Sequence, residues 1–398
     1  MPGYINYILS VLFVLFGITA LYSQDVVHVP KPKAEKAFER ALKFYHNRES
    51  DKAEKELIKS IRHDSLYVEP YLLLADIYYD RSDLKMALKY YDNAIVLDPG
   101  HSATVYLLAA KASLEEGLYQ KAVQRLTKYL SFEGLRDDQR KRAEDMLLVA
   151  SFREDAMNNP VPFKPLNLGA RINSPHDEFV NSITLNESQL VFTLMQPDTS
   201  LKGHFTEGFV MAVKKDTSWE LAGKALPDLY ELGNIGAMSL SPDGRFLFFT
   251  SCGAPIGFGS CDLYVCGKEG EGWSDPQNLG DVVNTPNWDS QPCFSADGQT
   301  LYFSSARPGG KGGSDIWHTT FKQGEGWSKP LNEGANINTK EEEMAPFIHA
   351  DGQTMYFSSK GHMGMGGFDL FISRQDSSGQ WQAAENLGWP VNTASDEI

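Results

Sequence analysis

The chain has 398 residues, more than one ordinary domain holds, so two or more units are expected. Lys and Arg number 37 against 52 Asp and Glu; the net charge of −15 argues against a general nucleic-acid binder, which needs a basic face. The 42% hydrophobic fraction supports packed cores, and four cysteines (Cys252, Cys261, Cys266 and Cys293) are too few for a disulfide-dense scaffold.

Residues 5–21 form a nearly unbroken apolar run that gives way to small and polar residues, Ala20 to Gln24. At about 17 residues the run is marginal for spanning a bilayer and has the shape of a secretory signal peptide, residues 1–24. No Lys or Arg precedes it, and an uncleaved N-terminal anchor is the competing reading. Both readings put the rest of the protein outside the cytoplasm.

Residues 25–158 carry a period of 34. Counted from Val68, the template reads Ala75, Tyr78, Ala87, Tyr91, Ala94 and Pro99, and its first five positions return one period earlier as Ala41, Phe44, Ala53, Leu57 and Ser60. They recur one period later, with one extra residue, as Ala110, Ala122, Leu126 and Tyr129. Small residues let paired helices approach, large ones fill the seam, and Pro ends the second helix. The pattern resembles the tetratricopeptide repeat: three repeats, then a terminal helix over 137–157 whose Met146, Leu147, Val149 and Ala150 cover the last repeat. The resemblance implies a partner-binding face on the first helix of each pair, where Tyr45, Asp76, Tyr79 and Lys111 fall. Simple support of the next domain is the alternative.

From residue 159 the texture changes to short strands, aromatics and Gly-rich turns, and the period becomes 54: Trp219, Trp273, Trp327 and Trp381 keep it. So do Asp243, Asp297 and Asp351, each before Gly, and Phe249, Phe303 and Phe357. One unit predicts one four-stranded propeller blade. Asp-Gly makes a tight hairpin with positive φ between strands one and two, glycines such as 309–313 lead into strand three, and Trp begins the outer fourth strand. Four blades are expected, at roughly 178–226, 236–279, 290–333 and 344–388. The segment 163–169 matches an outer strand with no blade of its own. It calls for a later blade, so the propeller is expected to be incomplete and the protein truncated at its C-terminal end; a four-blade domain with a loose first strand is the alternative.

The 54-residue unit resembles the TolB-like, or WD40-like, propeller repeat. Its best markers are Asn278-Leu279-Gly280 with Asn284-Thr285, and Asn386-Leu387-Gly388 with Asn392-Thr393. Signal peptide, tetratricopeptide array and propeller in series resemble the periplasmic OmpA-family proteins of Bacteroidetes, some of which are, or resemble, the PorE component of type IX secretion. The resemblance implies an outer-membrane-associated scaffold that docks envelope proteins. A C-terminal OmpA-like domain, absent from this sequence, would grip peptidoglycan. The expected fold class is α + β and multidomain, an α-helical tetratricopeptide-repeat array followed by an incomplete β-propeller of four-stranded blades.

Catalytic signals are lacking: there is no G-x-S-x-G, H-E-x-x-H, C-x-x-C or phosphate loop, and the nine histidines show no metal-ligand spacing. The expectation is a non-enzymatic protein without cofactor or metal. The repeated Asp262, Asp315 and Asp369 read as hydrogen-bond acceptors of the blades. The acidic pairs Asp177-Glu178, Glu342-Glu343 and Asp396-Glu397 fall at equivalent linker positions and are expected near one mouth of the propeller, as a cation or basic-partner site or as solvated charge. Cys252 and Cys261 end strand two and begin strand three of one blade, which makes a disulfide plausible; Cys266 and Cys293 read as buried thiols. The alternative function is a propeller that binds a glycan or peptide, with a hydrolase attached downstream.

Overall fold

The computed structural model describes residues 28–398 apart from 176–177, 185–186, 198–204, 217, 225–231, 233 and 271. The apolar run and the expected signal peptide lie outside the described residues. No helix among the described residues is long and apolar enough to cross a membrane.

Seven helices come first: α1 (Pro32–His46), α2 (Ser50–His63), α3 (Glu69–Asp80), α4 (Leu84–Leu97), α5 (Ala103–Glu115), α6 (Tyr119–Leu130) and α7 (Asp137–Asn158). They resemble a tetratricopeptide-repeat array. The period has a physical basis in the alanines: Ala41, Ala53, Ala75, Ala87, Ala110 and Ala122 are all fully buried. Having no side chain beyond Cβ, they let backbones approach, and Leu57, Leu74, Ile77 and Tyr91 fill the space around them. The turn within each repeat is left-handed at Arg48 (φ 61°), Ser82 (φ 59°) and Gly117 (φ 73°), one residue later in the third copy, as the extra residue requires. Asp83 caps α4, its carboxylate accepting from the Met86 N–H at 3.1 Å.

Four antiparallel sheets follow, arranged as the blades of a four-bladed β-propeller. Blade 1 holds β1 (Glu178–Ile183), β2 (Gln189–Pro197), β3 (Phe205–Lys215) and β4 (Ser218–Lys224). Blade 2 holds β5 (Asn234–Leu240), β6 (Phe246–Cys252), β7 (Cys261–Glu269), β8 (Gly272–Trp273) and β9 (Gln277–Asn278). Blade 3 holds β10 (Asp289–Phe294), β11 (Thr300–Ser305), β12 (Asp315–Lys322), β13 (Gly326–Trp327) and β14 (Leu331–Asn332). Blade 4 holds β15 (Glu343–Ile348), β16 (Thr354–Ser359), β17 (Asp369–Arg374) and β18 (Glu385–Asn386).

Each sheet is apolar on both faces and buries them against its neighbours in sequence order. Phe249, Phe303 and Phe357 are fully buried at the centres of these layers. The innermost strands share one irregularity. The register of β5, β10 and β15 shifts around Ala237, Gln291 and Ala345, which have φ of 44°, 50° and 55° in the order Ala237, Ala345, Gln291. Pro292 and Pro346 follow two of these residues, where a missing N–H costs no ladder bond.

Three expectations need correction. The Asp-Gly hairpins are not two-residue turns: a five-residue loop, 295–299, joins β10 to β11, and only Gly298 is left-handed (φ 69°). Asp297 instead accepts the N–H groups of Gln299 and Thr300 at 2.8 and 2.9 Å, and this holds the loop. The outer strand is broken in two in blades 2, 3 and 4: the Trp pairs near the end of the third strand and a second short segment pairs further back along it, whether proline (Pro276, Pro330) or Ala384 lies between. Residues 161–169 form no strand; Leu166 is 87% exposed, and only Val161 reaches a blade, its N–H donating to the Trp389 carbonyl at 2.8 Å.

The molecule forms two compact units, divided between Glu116 and Gly117, within the third helical pair. The reason is visible on α7, where Arg153 donates to the Gly364 carbonyl of blade 4 at 3.1 Å. On α7 itself Ala143 and Ala150 are buried, Met146, Leu147 and Val149 are half-buried, and Leu148 is exposed.

Candidate functional site

On the helical unit, three of the four residues expected on the partner-binding face take part in tyrosine–carboxylate hydrogen bonds. Tyr45 of α1 donates to Asp80 of α3 at 3.4 Å, and Tyr79 of α3 donates to Glu115 of α5. Asp76 accepts from Tyr91 at 2.6 Å. Burial, together with the bond to Glu115, pushes the Tyr79 phenol up to about 12. Burial, with Asp80 adding to it, holds the Asp76 carboxyl above the usual carboxylate range despite the Tyr91 bond. Lys111 stands exposed on α5 and is unpaired among the described residues. The face formed by the first helices thus carries tyrosine hydroxyls interleaved with Asp76, Asp80 and Glu115.

On the propeller unit, the linkers after blades 2, 3 and 4 repeat one hydrogen-bond device. The Oδ1 atoms of Asn284, Asn338 and Asn392 accept from the N–H of Leu263, Ile316 and Leu370 at 2.8 Å each. Their Nδ2 atoms donate to the carbonyls of the same residues at 3.0, 2.9 and 2.8 Å. Each linker is thereby sewn to the third strand of its own blade. Asn173 stands at the same place in the segment before blade 1; its Oδ1 is buried with no partner.

Two of the acidic pairs, Glu342-Glu343 and Asp396-Glu397, are bonded in or beside these linkers, and Lys360 lies within electrostatic reach of both Glu342 and Asp396. Thr339 donates its N–H and hydroxyl to fully buried Glu343, both at 2.7 Å, and Ser359 adds a third bond at 2.7 Å. Glu342, just before the strand, is half-buried and pairs with Lys360 at 2.5 Å. Asp396 accepts from the Phe368 N–H at 2.8 Å, and Glu397 from the Thr393 N–H at 3.0 Å. Asp177 and the Glu178 side chain lie outside the described residues. No cluster of three or more His, Cys, Asp or Glu among the described residues is placed to hold a metal.

Asp262, Asp315 and Asp369 accept backbone N–H groups of the glycine loops before them, such as Gly312 to Asp315 at 3.0 Å. A Cβ on Gly312 would sit 2.0 Å from the Glu341 carbonyl, so this glycine serves close packing of backbone. Cys252 and Cys261 are joined by a disulfide across the last register pair of β6 and β7. Cys266 and Cys293 are buried free thiols, and burial pushes both up to about 11.

Sequence reasoning missed the seam between blades 3 and 4. The period of 54 relates Leu279, Glu333 and Leu387, and likewise Tyr264, His318 and Ile372. Glu333 stands in Asn332-Glu333-Gly334, where the other linkers carry leucine. Its side chain is 6% exposed, pairs with His318 Nδ1 through one oxygen and accepts from Trp381 Nε1 at 2.6 Å through the other. Asn336 Nδ2 donates to the Trp381 carbonyl at 2.6 Å. A cleft of about 630 Å³ opens here, lined by these four residues with Tyr302, Gln375 and Gln380 among others. Burial presses the His318 imidazole down, but the bonded Glu333 carboxylate outweighs it and holds the group above its ordinary value. The signal that could have found this site was in the sequence: one glutamate in a repeat position otherwise held by leucine.

No protein-family model matches the chain, and no curated protein does. Among solved structures, the chain is similar to the first tetratricopeptide domain of Spaghetti (RPAP3) bound to the HSP90 peptide SRMEEVD. The identity is 16% over 31% of this chain and 98% of that one, with a TM-score of 0.28. It is also similar to the Arabidopsis OM64 tetratricopeptide domain, at 19% identity over 29% of this chain and 94% of that one, with a TM-score of 0.27. A third is the Yersinia enterocolitica type III secretion chaperone SycD in complex with a YopD peptide, at 17% identity over 30% and 93%, with a TM-score of 0.27.

Proposed function

We propose that the protein is a non-enzymatic interaction scaffold of the cell envelope that docks a partner protein on the first-helix face of its helical unit. The observation that carries this reading is the run of hydroxyl–carboxylate contacts from Tyr45 through Asp80 and Tyr79 to Glu115, which crosses three helices and leaves Tyr45 and Tyr79 only half-buried. Tyrosine is an economical contact residue, large and with few rotamers to lose, and the adjoining carboxylates favour a partner segment bearing Lys or Arg. The apolar N-terminal run supports export, and the disulfide between Cys252 and Cys261 is in keeping with an oxidising compartment such as the periplasm. Type IX secretion, and a peptidoglycan tether through an OmpA-like domain in a longer parent, are the specific setting that the resemblance implies.

The test is affinity capture from solubilised envelopes with the whole protein, comparing the parent with a Tyr79→Ala, Asp80→Lys double variant. A partner retained by the parent and lost from the variant supports the reading. Equal retention by both, or retention of no envelope protein by either, overturns the assigned face.

A further inference from the structure

The seam between blades 3 and 4 departs from its repeat in a concerted way. Between blades 2 and 3, Phe248 packs against Phe294 (ring centroids 4.7 Å apart) and edge-on against Trp327 (6.2 Å), with Leu279 closing the layer. One period later, Tyr302 keeps the edge-on contact with the tryptophan, now Trp381, at 6.4 Å. Leucine has become Glu333, and Tyr264 has become His318. An apolar seam has been replaced by an open polar one with its tryptophan clamped in place.

The groups left over indicate what the cleft takes. Tyr302 is 7% exposed, lines the cleft, and its hydroxyl has no hydrogen-bond partner among the described residues. The ring is buried while the hydroxyl opens on the cleft, where it is free to bond a ligand in place of water. The side-chain amides of Gln375 and Gln380 also face no bonded partner among the described residues. Glu333 and His318 are paired with each other, so the cleft presents no free charge to attract an ion. What remains are hydroxyl and amide groups that both donate and accept, set beside aromatic rings.

From this we propose that the cleft is a binding site for a neutral saccharide of one or two rings. Sugar hydroxyls donate and accept in turn, as the Tyr302 hydroxyl and the two amides do. The cleft volume lies in the usual span for small ligands, about 300–1,000 Å³. A peptide would leave the cleft's hydroxyl and amides poorly matched wherever it presented an apolar side chain. The Glu333 carboxylate acts as a positioning group, holding Trp381 and His318 at the wall. The inference is independent of the helical docking face.

The test is calorimetric titration of the whole protein with chitobiose, cellobiose, lactose and maltose, and with the neutral peptide Ser-Asn-Gly-Thr. The parent is compared with Tyr302→Phe, which keeps the ring as Phe248 does, and with Gln380→Ala at an exposed site that cannot unfold the blade. Saturable binding of at least one saccharide, weakened about tenfold by Tyr302→Phe, supports the proposal; one lost hydrogen bond is worth about that factor. Binding that neither variant changes, binding of the peptide alone, or no saccharide binding up to about 10 mM overturns it, that concentration being the weak end of specific recognition.

Discussion

Two seams of the propeller, related by 54 residues, use the same backbone for different ends. Between blades 2 and 3 the space is filled by Phe248, Leu279, Phe294 and Trp327. Between blades 3 and 4 the corresponding space holds Tyr302, Glu333, Ile348 and Trp381, and a cleft opens. Linker latches, bulges and glycine loops are alike on both sides, so the fold does not require the polar set. The comparison separates residues that build a blade from residues that merely occupy it. Asn284 and Asn338 build; Leu279 and Glu333 occupy.

The comparison can be broken most severely by forcing the polar residue into the apolar seam. Leu279→Glu places a carboxylate where Tyr264 stands instead of a histidine. The expected loss is about 3–5 kcal/mol, read by urea unfolding, because a buried charge lacks its partner. A midpoint equal to the parent's would show that the seam tolerates charge without the His318 partner.

The reverse exchange is expected to be milder. Glu333→Leu strands the Trp381 indole N–H and the imidazole, at a cost of about 1–2 kcal/mol. Adding His318→Ile, which reproduces the Leu387 and Ile372 of the next blade, is expected to recover most of that loss. A double variant less stable than the single one would contradict the reading of blade 3 as a substituted standard blade.

The smallest effect is one of pH. Glu333 holds the His318 imidazole above its ordinary pKa in the folded state. The pair therefore contributes fully below the unfolded histidine value, about 6.5, and its contribution fades as pH rises through the elevated folded value. In an NMR titration of the parent the His318 resonance should titrate later than an exposed histidine, and Glu333→Gln should move it down. No movement in that variant would remove Glu333 as the cause.

Much of this was legible in the residues because both halves repeat. Alanines every 34 residues and tryptophans every 54 locate helix pairs and blades without any structure, since each copy must solve the same packing problem. The sequence also marked its own exception at Glu333, beside the Asn-Leu-Gly copies at 278–280 and 386–388. Other features were not legible. Glu342 and Glu343 look alike in sequence, and only the fold makes one, just before the strand, a surface ion-pair partner of Lys360 and the other, at the strand's start, a buried latch. The outer strand reads as one run from each Trp, yet the edge breaks in two in blades 2, 3 and 4. The segment 161–169 carries the motif of a blade linker, but backbone groups form a strand only where an edge is present to receive them.

Spacing alone dictates the local and periodic part: the helices, the blade count, the turns, and the nearness of Cys252 to Cys261 across one short loop. Those features depend on interactions within a repeat length, which the order of residues encodes directly. Only the folded molecule reveals that Trp381 meets Glu333, 48 residues away along the sequence, and that Arg153 ties α7 to blade 4 across 211. Such meetings depend on how successive layers stack, and stacking is set by the summed shape of many side chains rather than by any one motif.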